Sequence, residues 1–264
     1  MSLRATILGC GSSGGVPRVG GDWGVCDPTE PKNRRRRCSL LLQQGQGDTL
    51  TSVLIDTSPD MREQMLSANV KHLDAVWYTH EHADHTHGID ELRGYFLRQR
   101  KRIPVWADTT TAGMLMTRFA YCVVQAPGSD YPPILELQSI VPQRELATLG
   151  AGGKITALPF SVQHGNIQAL GFRIANLAYT PDVSDIPEHS LVALTDLDIW
   201  IVDALRPKPH PSHFSLAETL RWIERLKPKH AILTNMHVDL DYATLRAELP
   251  DNVEPAFDGM TISF

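Results

Sequence analysis

Short apolar runs punctuated by Gly, Pro and Asx residues dominate the chain, and most are too short for helices. The runs at 5–8, 38–42, 51–55, 73–78, 103–107, 155–158, 160–163, 170–174, 177–180, 199–202 and 231–234 predict strands. Residues 260–264 predict an edge strand, and Asn176 a hairpin turn between two of the others. Helices fall between them. Residues 60–68 turn Met61, Met65 and Leu66 inward, with Ser58 as N-cap and Pro59 at the first helical position. Ile89, Leu92, Tyr95 and Phe96 recur at helical spacing and predict a core-facing helix over 89–100. Further helices are predicted at 109–119, 187–194 and 242–249, and Ser215-Leu216-Ala217-Glu218 is a capping box that opens another. Residues 121–142 carry several prolines and predict a long loop, of the kind used as a lid, with Tyr131 as a lid or base-stacking residue. Strands alternating with helices point to the α/β class.

The 264 residues, 42% of them hydrophobic, suffice for a large core, and a single domain over 1–264 is expected. No apolar run approaches the roughly 18 residues of a membrane span. The first residues lack a signal-peptide core, so a cytoplasmic protein is expected. A net charge of −5 argues against a surface that coats nucleic acid, so no stable nucleic-acid partner is expected. The four cysteines are widely spaced and predict free thiols. Gly9 to Gly14 reads G-x-G-x-x-G, but Gly15-Val16-Pro17 follows and cannot open a helix. The segment is better read as a loop near a site, with N–H groups free to face an anion.

The chemistry concentrates after the run at 73–78. His80, His82, Asp84 and His85 stand there in the spacing H-x-H-x-D-H. Imidazoles with a carboxylate are preferred ligands of zinc and its neighbours. His80 and His82 alternate and point the same way from an extended chain. Asp84 and His85 are adjacent and diverge, which suits two ions a short distance apart.

This motif resembles the signature of the metallo-β-lactamase fold superfamily. The resemblance implies a four-layer αββα sandwich with a site at one edge of two packed sheets. It further implies a lone His, an Asp and a last His in chain order, which His164, Asp182 and His237 supply. One ion would take His80, His82 and His164, the other Asp84, His85 and His237, and Asp182 would bridge. The last strand of the branch discussed next usually ends T-H-x-x-H. Here Asn235 fills the first His slot, and His237 is the imidazole available at that strand end. Asp56 and Asp203 would support the site from behind. Two divalent ions are implied, zinc by ligand softness, with manganese tolerated.

Within that superfamily the chain is similar to the phosphoribosyl cyclic phosphodiesterases. That branch holds a structural zinc on a C-x-C-x-x-C loop, where this chain has Gly21, Trp23 and Cys26. No structural zinc is therefore expected, with Trp23 packing into its place. Among residues 34–37, Arg35 and Arg37 are candidates to grip a phosphate, since alternate residues share a face. His213, just before the capping box, would contact the scissile phosphate and protonate the leaving oxygen. Asp84 would serve in catalysis as well, and His210 is read as a solvated loop residue. The reaction implied is attack of a metal-bridging hydroxide on a small cyclic phosphate or nucleotide-like ester, by a monomer or a homodimer. The alternatives are a thioesterase, tRNA nuclease or lactamase of the same fold. A non-catalytic alternative is a carrier similar to the metallo-β-lactamase-like protein of pyrroloquinoline quinone biosynthesis.

Overall fold

A computed structural model describes residues 3–264. Six strands open the first sheet: β1 (Leu3–Gly9), β2 (Ser39–Gln46), β3 (Thr49–Ile55), β4 (Ala75–Trp77), β5 (Ile103–Ala107) and β6 (Leu135–Ser139). The second sheet holds β7 (Leu146–Gly150), β8 (Gly153–His164), β9 (Ile167–Ile174), β10 (Leu177–Thr180), β11 (Ile199–Asp203), β12 (His230–Thr234) and β13 (Val253–Pro255). The last strand, β14 (Thr261–Ser263), returns to pair with β1 as the edge of the first sheet.

Alternation within each strand makes the layers. In β2, Leu40 and Leu42 face the second sheet while Leu41 faces outward; in β3, Val53 and Ile55 face inward and Leu54 outward; in β4, Ala75 and Trp77 oppose Val76. The inward set meets Phe160, Val162, Phe172 and Ile174 of β8 and β9. The outward set meets Met61 and Met65 of α1 (Met61–Ser67), then, past the short α2 (Ala83–Thr86), Leu92 of α3 (Leu92–Gln99) and Leu115 of α4 (Thr109–Val123). Each such buried side chain contributes about 1.5–3 kcal/mol. On the other sheet, α5 (Leu216–Leu226) and α6 (Tyr242–Glu248) contribute Ile223 and Leu245 to the core. The result is the expected αββα sandwich.

β3 to β6 run parallel, as do β10 to β13. Ligands in parallel sheets gather beyond the carboxyl ends of strands, and Asp56, His80 to His85, Asp182, Asp203 and Asn235 lie there.

Several expectations need correction. Leu66 is 62% exposed, because it falls on the outer side of α1. Ser58 is not the N-cap; Asp60 is, and the Ser58 hydroxyl instead accepts from Asp60 N and donates to Gln64. The 121–142 loop is interrupted by the end of α4 and by β6, whose alternating Leu135-Glu136-Leu137-Gln138 signal was masked by nearby prolines. The two strands read on either side of Pro159 are one, β8. Pro159 lies past the last β7 pair, Leu146 with Ala157, where a missing N–H is tolerated. No helix among the described residues is long and apolar enough to cross a membrane.

Candidate metal centre

Strand ends deliver the site. Asp56 follows β3, the segment after β4 carries His80 to His85, and His164 is the last residue of β8. Asp182 follows β10, Asp203 ends β11 and Asn235 follows β12. Asp56 and Asn235 both take left-handed backbone, φ 65° and 59°, so the chain turns sharply where each strand stops.

Hydrogen bonds on one side of each imidazole settle which nitrogen is free on the other. Asp56, fully buried, accepts from Thr79 N (2.8 Å), Thr79 Oγ1 (2.7 Å) and His85 Nδ1 (2.7 Å). With its hydroxyl proton given to Asp56, Thr79 Oγ1 accepts from His80 Nδ1 at 3.0 Å. His164 Nδ1 donates to the Ser212 carbonyl at 2.6 Å. The Nε2 atoms of His80, His85 and His164 are thus left with lone pairs. His85 Nε2 stands 2.9 Å from Asp182 Oδ2, and His164 Nε2 stands 3.1 Å from His82 Nδ1.

The Nε2 atoms of His80 and His85 and the Oδ2 of Asp182 are buried without a hydrogen-bond partner of acceptable geometry. Electron-rich atoms facing one another out of water repel unless a cation lies between them. The donor set therefore fits a divalent metal. Three overlapping groups have ligand atoms within 4.8 Å of one another: His80 with His82 and His164; His80 with His85 and Asp182; and His164 with Asp182 and His213. Asp84 Oδ2 is 3.5 Å from His85 Nε2 and lines the same cavity. Burial, then His85, holds His80 well below the ordinary imidazole range. Burial opposes a positive charge on His85, but Asp182, Asp84 and Asp56 outweigh it and hold the imidazole well above that range, so a proton or a metal ion is favoured between its Nε2 and the carboxylates.

Two residues expected in other roles exchange surroundings. His213 Nδ1 donates to Asp203 at 2.8 Å and lies 3.7 Å from Asp182 Oδ1, which brings it beside the ligand cluster. His237 is turned away from that cluster: Nδ1 meets Asp239 at 2.9 Å and Nε2 meets Arg18. The position at the end of β12 is held by Asn235, whose amide reaches Asp182 Oδ1 and Asp203 Oδ1, each at 3.3 Å.

The arginines chosen from the sequence lie elsewhere. Arg35 is 2% exposed and spends its guanidinium on Asn33 Oδ1 and the His237 carbonyl, as an internal brace. Arg37 pairs with Asp60 at 3.0 Å and lines a separate cavity of about 570 Å³ with Arg34 and Arg36. Tyr131 is 77% exposed and does not line the site cavity. Trp23 packs on Val16, Cys26 and Val238, and the Cys26 thiol donates to the carbonyls of Val238 and Leu240.

The cavity over the cluster, about 470 Å³, is lined besides the ligands by Ser12, Ser13, Gly14, Arg18, Arg206 and His210. The Gly-rich loop was readable as a site loop. Arg18 and Arg206 were not, since each is a single cation in an irregular segment.

Residues 51–236 match the family described as beta-lactamase superfamily domain. The chain is similar to the crystal structure of a new diphosphatase from the PhnP family, with TM-score 0.88 and 35% identity over 99% of this chain and 98% of that one. The fold is shared with zinc-bound PqqB from Methylobacterium extorquens, TM-score 0.75 and 16% identity over 99% and 100% of the two chains. An octanoyltransferase of Porphyromonas gingivalis is 31% identical over 263 residues, 98% of this chain and 51% of that protein. The chain thus spans about half the length of this curated relative.

Proposed function

We propose that this chain, which belongs to the metallo-β-lactamase fold superfamily, is a metal-dependent hydrolase whose substrate is a small phosphoester, cleaved in the manner of a phosphodiesterase. The observation that carries this reading is the convergence of unpartnered Nε2 and carboxylate atoms beneath a cavity that His213 also lines. His80, His82, His85, His164, Asp84 and Asp182 would hold the metal, whether one ion or two, zinc or manganese. Divalent ions in such a setting supply Lewis acidity, both to make water nucleophilic near neutral pH and to neutralise phosphoryl oxygens.

The chain's own contribution beyond holding metal centres on His213. Asp203 accepts a hydrogen bond from His213 Nδ1, which fixes the ring and leaves Nε2 as the atom free to meet a ligand. Burial opposes the charged imidazole, but Asp203 and Asp182 outweigh it and raise His213 above its ordinary range. A protonated imidazole beside a scissile ester can donate to the departing oxygen.

The test uses the full chain with added Mn²⁺ or Zn²⁺ on bis-p-nitrophenyl phosphate, a ribose cyclic phosphate and an octanoyl thioester. Phosphodiester turnover is expected; a preference for the thioester would sink the reading in favour of acyl chemistry, which the octanoyltransferase relative suggests. In His213→Ala, loss on the ribose ester should be about 10²–10⁴-fold and smaller on the nitrophenyl ester, whose leaving group needs little protonation. Loss of bound metal in that variant would instead make His213 a ligand.

A further inference from the structure

The site cavity is lined by side chains of both charges. Its two carboxylates, Asp84 and Asp182, belong to the imidazole cluster. In the same cavity stand the cationic or basic side chains Arg18, Arg206, His210 and His237. Arg206 donates from Nε to the Lys208 carbonyl (3.2 Å) and from Nη2 to the Pro209 carbonyl (3.0 Å). No carboxylate among the described residues pairs with it. Its backbone is pinned by Leu216 N donating to the Arg206 carbonyl, so the side chain leaves from a fixed point.

Arg18 is also held in place. His237 Nδ1 lies 2.9 Å from an Asp239 carboxylate oxygen, and its Nε2 accepts from the Arg18 guanidinium, which can only donate. His237 is thereby a positioning residue for Arg18. Asp22, the other partner of Arg18, lies at 3.4 Å in a half-exposed pair and does not line the cavity. An exposed pair of that kind is worth little and yields readily to a better anion. The crowding of cations also shows on His210, which burial, His213, Arg206 and His237 hold below the ordinary imidazole range.

Neither arginine belongs to the groups that could hold a metal, yet both line the cavity over them. They make no ion pair with Asp84 or Asp182, so their guanidinium groups remain available to an anionic group of the substrate. Guanidinium groups fit phosphate oxygens in a planar fork. We propose that Arg206 and Arg18 form a second anion subsite, which takes the non-scissile phosphate of a diphosphate ester. The proposal rests on the phosphoester reading above and narrows it to substrates with two linked phosphates.

Calorimetric binding of ADP and AMP to the metal-loaded full chain tests it, with metal content measured before and after. The nucleoside is common to both probes, so their ratio reports the second phosphate. Wild-type protein should favour ADP by roughly 10–100-fold, the size of a lost charge-assisted hydrogen bond. Arg206→Gln and Arg18→Gln should each bring the ratio down to about threefold or less, and Arg206→Lys, which keeps charge without the fork, should fall between. The unfolding midpoint of each variant shows that it folds, and Arg206→Lys serves if the glutamine variant does not. Equal binding of the two nucleotides by wild-type protein overturns the subsite, as does a ratio that survives both glutamine changes. If bis-p-nitrophenyl phosphate is turned over while ADP and AMP bind alike, the subsite fails and the hydrolase reading stands. If the ADP preference holds and responds to Arg206 while no phosphodiester is cleaved, the subsite stands and the hydrolase reading fails.

Discussion

Imidazoles are unequally distributed around the centre. His80, His82 and His164 converge as one group, whereas His85 faces Asp84 and Asp182 with Asn235 at the end of β12. A neutral amide is a poorer ligand than imidazole for zinc-like ions. Zinc titration is therefore expected to find one tight and one weaker equivalent. Asn235→His should strengthen the weaker one by about tenfold or more, within the range that partners of metal ligands command. Equal affinities in the wild-type protein would remove the role given to Asn235. His80, His82, Asp84 and His85 were legible because they are local in sequence and only metals need that spacing. Arg35 was misread because its partner, the His237 carbonyl, is 202 residues away, and no local pattern announces such a contact.

Among the elements, α6 shows how a helix start can brace a loop near the site. Asp241 caps it: Oδ1 accepts from Thr244 N (2.9 Å) and Oγ1 (3.0 Å). Its Oδ2 accepts from Asn33 Nδ2 (2.6 Å) and Asp27 N (3.1 Å), which ties the 27–33 loop to the helix. Partial burial pushes its carboxyl up, but these donors outweigh it and bring it down to about 2. The folded pKa is below the unfolded value of about 3.9, so the stabilisation is present above pH 4 and is lost as pH falls toward 2. Asp241→Ala should lower unfolding free energy at neutral pH by about 1 kcal/mol. Urea unfolding at pH 7 and near pH 2 should show that gap shrinking, and a gap unchanged by pH would mean that the charge contributes nothing. The Ser215–Glu218 capping box forms as its four-residue pattern predicts, whereas Ser58 shows that a plausible cap residue can be drawn into other bonds.

At the scale of the molecule, the centre draws on both sheets. His80 to His85 follow a strand of the first, while His164 and Asp182 belong to strand ends of the second. A bound ion would join the two layers at one edge of the core. Ligands that bind only the folded state add RT ln(1 + [L]/Kd), about 2.7 kcal/mol at a hundred times Kd. Chelation should then lower the unfolding midpoint by roughly 5–10 °C for a chain of this size. Added Zn²⁺ or Mn²⁺ should restore it, and His80→Ala should abolish the response. A midpoint indifferent to chelator would argue against an ion that bridges the layers.

Periodicity and short-range spacing account for what the sequence determined by itself: the α/β order, the alternating core strands, the H-x-H-x-D-H segment and the α5 cap. Each of these depends on residues within a turn or two of one another, so the geometry is implicit in the spacing. Tertiary structure alone decided that Asn235 and not His237 stands beside Asp182, that Arg35 is interior, and that Arg18 and Arg206 share a cavity with His213. Those outcomes depend on which strand ends and loops meet across the two sheets. A side chain's role there is set by partners dozens to hundreds of residues away, and the core that brings them together exists only once both sheets have packed.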